Sequence, residues 1–137
     1  MYMVGKTELR QASDHEIEVL EALLGQDVDN SVKAVRNGSG LLGETVFAIL
    51  HEGQYAGFCT FRSISDEIFP LVIFKPYRRK GVGSAAMQQL IPLLKQNQVQ
   101  EVAIEVLPGA ESFWQKVFAG FHATSNYDGS KFTYALC

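Results

Sequence analysis

Arg78-Arg79-Lys80-Gly81-Val82-Gly83-Ser84, near the middle of the chain, is the stretch that decides how the rest is read. Three cations run into two glycines one residue apart, and the helical pattern of Ala85 to Gln96 starts directly behind them. Glycine leaves main-chain N–H groups open to close approach by a ligand. The first turn of a helix adds unpaired donors and the positive end of the dipole. Together these make an anion cradle of the kind that holds phosphate. The cations add charge, and arginine can grip a phosphate through two parallel hydrogen bonds. Three adjacent cations alone would read as a solvated turn; the glycines change that reading.

Upstream, Glu67 to Phe74 is almost wholly apolar and reads as a strand buried on both faces. Pro70 interrupts its row of donors, which calls for a bulge or a local splay from one neighbour. Thr45 to Leu50 and Tyr55 to Arg62 flank the tight turn Glu52-Gly53-Gln54 and form a β-hairpin. Nearer the N-terminus, Thr7 to Ala12 reads as a strand. Ser13 or Asp14 caps a helix with help from Glu16; Ile17, Leu20, Leu23 and Leu24 repeat at helical spacing, and Gly25 stops it. Asp29 to Asn37 suggests a second short helix before the break Gly38-Ser39-Gly40.

Downstream, Ala85, Ala86, Leu90, Leu93 and Leu94 share one helical face, with a kink expected at Pro92. Glu101 to Val106 is a strand. Pro108-Gly109 opens a further helix with Phe113, Val117 and either Trp114 or Phe118 inward. Phe121 to Thr124 and Lys131 to Leu136 make two final strands around the turn Asn126 to Ser130. The sum is an α+β fold: an antiparallel meander, a strand–helix–strand crossover, a helix and a closing pair. That amounts to a mixed, mostly antiparallel sheet of about six to seven strands with about four helices.

The 137 residues suit one domain spanning 1–137, and 47% hydrophobic residues suit a globular one. A net charge of −3 argues against a nucleic-acid partner, which needs a basic face. Lys75 to Lys80 is the only dense basic cluster and is too short for a duplex footprint. The two cysteines, Cys59 and Cys137, make no disulfide framework and no metal spacing, so no metal is expected. Cys59 reads as a small buried hydrophobe and Cys137 as a frayed end. No secretion signal and no membrane-length apolar run is visible, so the expectation is a cytoplasmic protein without a membrane partner. His15, His51 and His122 have no partner at catalytic spacing.

Gly81-Val82-Gly83-Ser84-Ala85-Ala86 also fits the G-x-G-x-x-A form of the dinucleotide fingerprint, with Glu101 twenty positions after Gly81. Context opposes it. In that fold the strand passes almost directly into the glycines, whereas Lys75 to Lys80 intervene here; Glu101 begins its strand, and too little chain follows for a second half. No Gly-Lys-Ser/Thr follows, so it is no Walker loop.

Arg78-x-x-Gly81-x-Gly83, after an apolar strand and Pro76-Tyr77, resembles the R/Q-x-x-G-x-G/A pyrophosphate loop of the GNAT superfamily, the acyl-CoA-dependent N-acyltransferases. Leu9-Arg10-Gln11-Ala12-Ser13-Asp14 resembles that family's first strand and turn, and Tyr55-Ala56-Gly57-Phe58 its G-F hairpin strand. Ala110-x-x-Phe113-Trp114-Gln115-Lys116, followed by Gly120-Phe121, resembles its A-x-x-F-Y-E-K-L-G-F motif. The element order matches over nearly the whole chain.

The resemblance implies acetyl-CoA as cosubstrate and direct transfer, in a ternary complex, to a primary amine on a small molecule or a peptide. It also admits a homodimer. Main-chain N–H groups of Arg79, Lys80, Gly81, Val82, Gly83 and Ser84 would hold the pyrophosphate, helped by Arg78 and the Ser84 hydroxyl. Val72, Ile73 and Phe74 would pair with the pantetheine arm where the strand splays from the next, a splay with which Pro70 is compatible. Such a transfer needs a base for the amine, a donor for the developing oxyanion, and a departing thiolate. The oxyanion donor would be a main-chain N–H near Ile73 or Phe74.

Glu67, eleven residues before Arg78, stands where some family members carry a glutamate base, acting directly or through water. A solvated strand-start carboxylate beside Asp66 is the equal alternative. Where the family often has a tyrosine acid this chain has Trp114, whose indole is a donor that will not protonate a thiolate. Thiolate leaves readily without one, and Ser112, Tyr127 or Tyr134 are substitutes more in keeping with structural roles. Leu107 replaces the family's usual asparagine, and two extra residues precede Gly120-Phe121. These departures keep a second function in view, a non-catalytic CoA-binding regulatory module on the same fold.

Overall fold

The structure is a computed structural model that describes residues 3–4, 6–27, 35, 43–107, 109–125 and 130–136. The helix expected over Asp29–Asn37 lies outside them apart from Val35, as do Tyr127 and Cys137. Strands β1 (Met3–Val4) and β2 (Thr7–Gln11) lead into helix α1 (Asp14–Gln26). Ser13 starts the helix with a closed capping box. Its hydroxyl accepts the Glu16 N–H at 3.2 Å, and the Glu16 carboxylate accepts the Ser13 N–H at 3.1 Å. Gly25 does not stop it. That residue lies within the last turn, without the left-handed backbone of a glycine cap, and the helix ends at Gln26 instead.

β3 (Glu44–His51) and β4 (Gln54–Arg62) form the expected hairpin. Its turn residues Glu52 and Gly53 have φ of 51° and 81°, the pair of left-handed residues that matches strand twist. β5 (Glu67–Ile73) follows, then a 3-10 turn (Lys75–Tyr77), α2 (Val82–Gln96), β6 (Glu101–Glu105), α3 (Glu111–Val117), β7 (Ala123–Ser125) and β8 (Lys131–Ala135). α2 runs unbroken through Pro92, which removes one bond of the ladder without ending it. The described residues thus hold one eight-stranded sheet, ordered β1-β2-β3-β4-β5-β6-β8-β7, and three α-helices. Every pairing is antiparallel except β5 with β6, the two strands joined by α2.

The period of two along the strands splits the core into two layers. On one face Ile17, Leu20 and Leu24 of α1 cover Val46, Ala48, Phe58, Val72 and Phe74. On the other, α2 and α3 cover Phe47, Ile49, Cys59, Ile68, Ile104 and Tyr134 with Ala86, Met87, Leu90, Trp114 and Phe118. The expectation that β5 is buried on both faces is corrected here: Phe69, Leu71 and Ile73 are only partly buried, and Leu71 and Ile73, though packed against the α2 and α3 layer, lie beyond Ile68, where β5 is no longer paired with β6.

Pro70 is accommodated in both of the expected ways. Cys59 pairs with Leu71 and Phe61 with Ile68, so β5 carries one extra residue against β4, a bulge at Phe69-Pro70. With β6, β5 pairs only through Glu67–Ala103 and Ile68–Ile104. Past Ile68 it stays with β4 and leaves β6, and the sheet forks.

Candidate functional site

The open arm of the fork exposes main chain in an alternating pattern. The Phe74 N–H donates to the Ala56 carbonyl at 2.8 Å, which directs Phe74, and by alternation Val72, toward β4. Leu71 and Ile73 therefore turn their N–H and C=O groups into the gap. The close approach of β4 depends on Gly57, where a Cβ would collide with the Val72 carbonyl oxygen and lie 3.0 Å from Ile73 Cα.

Arg78 does not reach into the cradle as a free cation. Its Nε donates to the Ile73 carbonyl at 2.8 Å and its Nη2 pairs with Asp27 Oδ2 at 2.8 Å. The Asp27 side chain is 5% exposed, and its other oxygen accepts the Lys75 N–H at 3.3 Å. Arg78 thus clamps the end of α1, the 3-10 turn and the fork together. The buried Asp27 carboxylate matches much of the guanidinium's charge, while Arg78 still lines the cavity beside the cradle.

Beyond the clamp the chain enters α2 through two left-handed residues, Arg79 (φ 63°) and Gly81 (φ 75°). Holding a non-glycine residue there costs about 1 kcal/mol, strain of the sort that marks binding loops. No side chain caps α2. The first intrahelical bond is Ala85 N–H to the Gly81 carbonyl at 3.0 Å, so the N–H groups of Val82, Gly83 and Ser84 lack helical acceptors. Gly83 lets this end pack tightly: a Cβ there would sit 3.3 Å from a Phe113 ring carbon and 3.5 Å from Ile73.

The fork and the helix start share one cavity of about 530 Å³. Leu71 and Ile73 line one side, Arg79 and Gly81–Ser84 a second, and Ser112, Phe113 and Lys116 of α3 a third, with Tyr77 alongside. Of the residues expected at the ligand, Ile73, Arg78, Arg79, Gly81, Val82, Gly83 and Ser84 meet here. Val72 and Phe74 point into the α1-side core, and Lys80 is exposed outside the lining. Tyr77 and Lys116 also line the cavity, two residues to which the sequence motifs assign no role. The i, i+4 spacing of Ser112 and Lys116 was the available signal, since it sets both on one helix face.

Glu67 is neither solvated nor in the cavity lining. It is 6% exposed, at the closed end of the fork, on the α1 side of the sheet. Lys131 Nζ lies 3.1 Å from its carboxylate and Arg62 Nη1 3.7 Å; Arg62 also lies 3.4 Å from Glu44. Glu44 Oε1 and Arg62 Nε are buried without hydrogen-bond partners.

The aromatic substitutes for an acid sort themselves by packing. Trp114 is core, stacked on Phe118, which in turn stacks on Tyr134 at 4.1 Å. Burial raises the Tyr134 phenol pKa above its ordinary value. Tyr55 donates to Glu16 at 2.8 Å, and that hydrogen bond, with burial, raises its pKa too. Among the described residues Tyr77 is the phenol that lines the cavity. Burial pushes the Cys59 thiol up to about 12, which makes it inert. No group of three or more His, Cys, Asp or Glu comes together as a metal site among the described residues.

An uncapped helix start can hold a diphosphate, and the Ile73 N–H, turned into the gap, can pair with an extended arm. Residues 14–121 match the family model described as Acetyltransferase (GNAT) family. Among curated proteins no sequence match is found. The fold is similar to that of a GNAT-family acetyltransferase from Staphylococcus aureus Mu50, at 10% identity and TM-score 0.69, over 96% of this chain and 99% of that one. It is also similar to the ribosomal-protein-S18-alanine N-acetyltransferase of Escherichia coli, at 16% identity and TM-score 0.64, over 94% and 90%. The PaiA N-acetyltransferase of Thermoplasma acidophilum, solved with coenzyme A, is similar at 16% identity and TM-score 0.69, over 94% and 97%.

Proposed function

The chain belongs to the GNAT acetyltransferase family, and from that premise we propose that it transfers an acetyl group from acetyl-CoA to a primary amine within one ternary complex. The observation that carries this reading is the shared cavity: a forked strand that turns the Ile73 N–H into the gap and an uncapped helix start open into the same space. The residues present fit coenzyme A, since Gly83 keeps the cradle narrow without a Cβ and Val82 to Ser84 offer unpaired donors. Coenzyme A supplies the acetyl group as a thioester.

The chain's own residues do the rest. Val82, Gly83 and Ser84 N–H groups hold the diphosphate, with Arg79 adding charge. The Ile73 N–H, turned into the gap, pairs with the arm or donates where oxyanion charge develops. Phe74 is excluded from that task by its bond to Ala56. Tyr77 offers a proton to the departing sulfur. Glu67, at the closed end of the fork, is the candidate base for the amine's proton. A homodimer and a cytoplasmic location belong to the same proposal; no helix among the described residues is long and apolar enough to cross a membrane.

The ion pairs around Glu67 favour a second reading in which that residue is a structural anchor and the protein a CoA-binding module. The test is a panel of small amines and peptide N-termini, with release of free thiol followed and CoA binding measured in parallel. A peptide is included because the E. coli neighbour acts on a ribosomal-protein alanine. Turnover with one acceptor, lost in Glu67→Gln with CoA binding retained, supports transfer with Glu67 as base. Turnover unchanged in Glu67→Gln across pH removes Glu67 from the mechanism. CoA binding without turnover on any acceptor supports the module.

A further inference from the structure

The cationic side chains around the cavity differ in what already neutralises them. Arg78 is matched by Asp27. Arg79 and Lys116 line the cavity on different elements, and neither has an ion-pair partner among the described residues. Among the described residues that line the cavity none is acidic. The cradle at Val82 to Ser84 offers its donors at one place, enough for one diphosphate. Lys116 lies off that cradle, on α3, with the Ser112 hydroxyl one turn before it on the same face. An ammonium beside a hydroxyl suits a phosphomonoester, which carries close to two negative charges at neutral pH. Coenzyme A carries such a group at the ribose 3′ position, apart from its diphosphate.

We propose that Lys116, assisted by Ser112, is a second phosphate contact that takes the 3′-phosphate of coenzyme A and makes the protein discriminate against 3′-dephospho-CoA. The proposal rests on the coenzyme A reading of the cavity. Lys116 is exposed, so its replacement leaves the core intact.

The experiment is titration calorimetry of the wild-type protein, Lys116→Met and Lys116→Arg with CoA and with 3′-dephospho-CoA. The wild type prefers CoA by roughly tenfold, the value of one charge-assisted contact in a half-open site. Lys116→Met lowers that preference to about twofold or less while its affinity for dephospho-CoA stays at the wild-type level. Lys116→Arg keeps most of the preference, and raised salt shrinks it in the wild type. Equal wild-type affinity for the two ligands, or a full preference in Lys116→Met, overturns the second contact and leaves the coenzyme A reading standing. A protein that binds neither ligand refutes both.

Discussion

Replacing Arg78 by methionine separates the clamp from a phosphate ligand. The substitution keeps most of the stem and removes two hydrogen bonds of 2.8 Å, one to Asp27 and one to the Ile73 carbonyl. Asp27 is 5% exposed, so its carboxylate loses an ionic partner where water is scarce; it keeps the Lys75 N–H. Losing a charged hydrogen bond at a buried group costs about 1.5–3 kcal/mol. Arg78 itself is 36% exposed, which places the pair toward the lower part of that range. With the guanidinium's bond to the Ile73 carbonyl included, the loss is about 2 kcal/mol. At about 2.1 cal/mol/K per residue, a chain of this length melts about 7 °C lower. Thermal unfolding by circular dichroism reads this directly. Asp27→Asn lowers the midpoint in the same way, and the double variant falls little further than the worse single one, because both remove one interaction. If Arg78 instead served as a phosphate ligand, Arg78→Met would melt at the wild-type temperature and lose more than about tenfold in CoA affinity. That pair of results would refute the clamp.

Gly57→Ala forces β4 and β5 apart, since the new methyl group meets the Val72 carbonyl; a loss of about 2–3 kcal/mol in denaturant melts is expected, with weaker CoA binding. For Glu16, burial opposes ionisation. The Ser13 N–H, the Arg10 guanidinium and the Tyr55 hydroxyl outweigh it and hold the carboxyl below its ordinary value of 4.5. A depressed carboxylate stabilises the fold above its unfolded value and loses that contribution as pH falls through the folded one. Glu16→Gln is therefore destabilising near pH 7 and progressively less so below about pH 4.5. An equal penalty at neutral and strongly acid pH would contradict this. Tyr77→Phe lowers kcat by roughly 100-fold or more with CoA affinity unchanged, if its phenol protonates the leaving sulfur; an unaltered kcat assigns the hydroxyl no part.

Much of the fold was legible because its signals are local. The capping box at Ser13 and Glu16, the two-residue turn at Glu52-Gly53 and the apolar alternation of β3 and β4 each depend on a few adjacent residues. Gly25 was misread because a glycine ends a helix only where the backbone turns left-handed, and here it does not. The short β1 was not anticipated; two residues carry no period. β5 was read as buried on both faces because its composition is apolar, whereas exposure of Leu71 and Ile73 follows from the loss of pairing with β6.

The chain by itself determined the cradle, since glycines, a helix start and an uncapped first turn are properties of neighbouring residues and need no distant partner. It also determined the order of elements that surrounds the cradle. Only the tertiary structure decided what each side chain does there. Arg78 meets Asp27 across 51 positions, and that encounter ties the entrance of the cradle to the end of α1. Pairing between β4 and β5 decides that Ile73 and not Phe74 presents a free N–H. The side of the sheet on which Glu67 falls, and the meeting of Tyr77 with Lys116 in one cavity, likewise depend on register and packing between segments far apart in sequence. A short motif can encode a shape that binds an anion, but the charge left over to act on the ligand depends on which distant groups the fold brings to neutralise it.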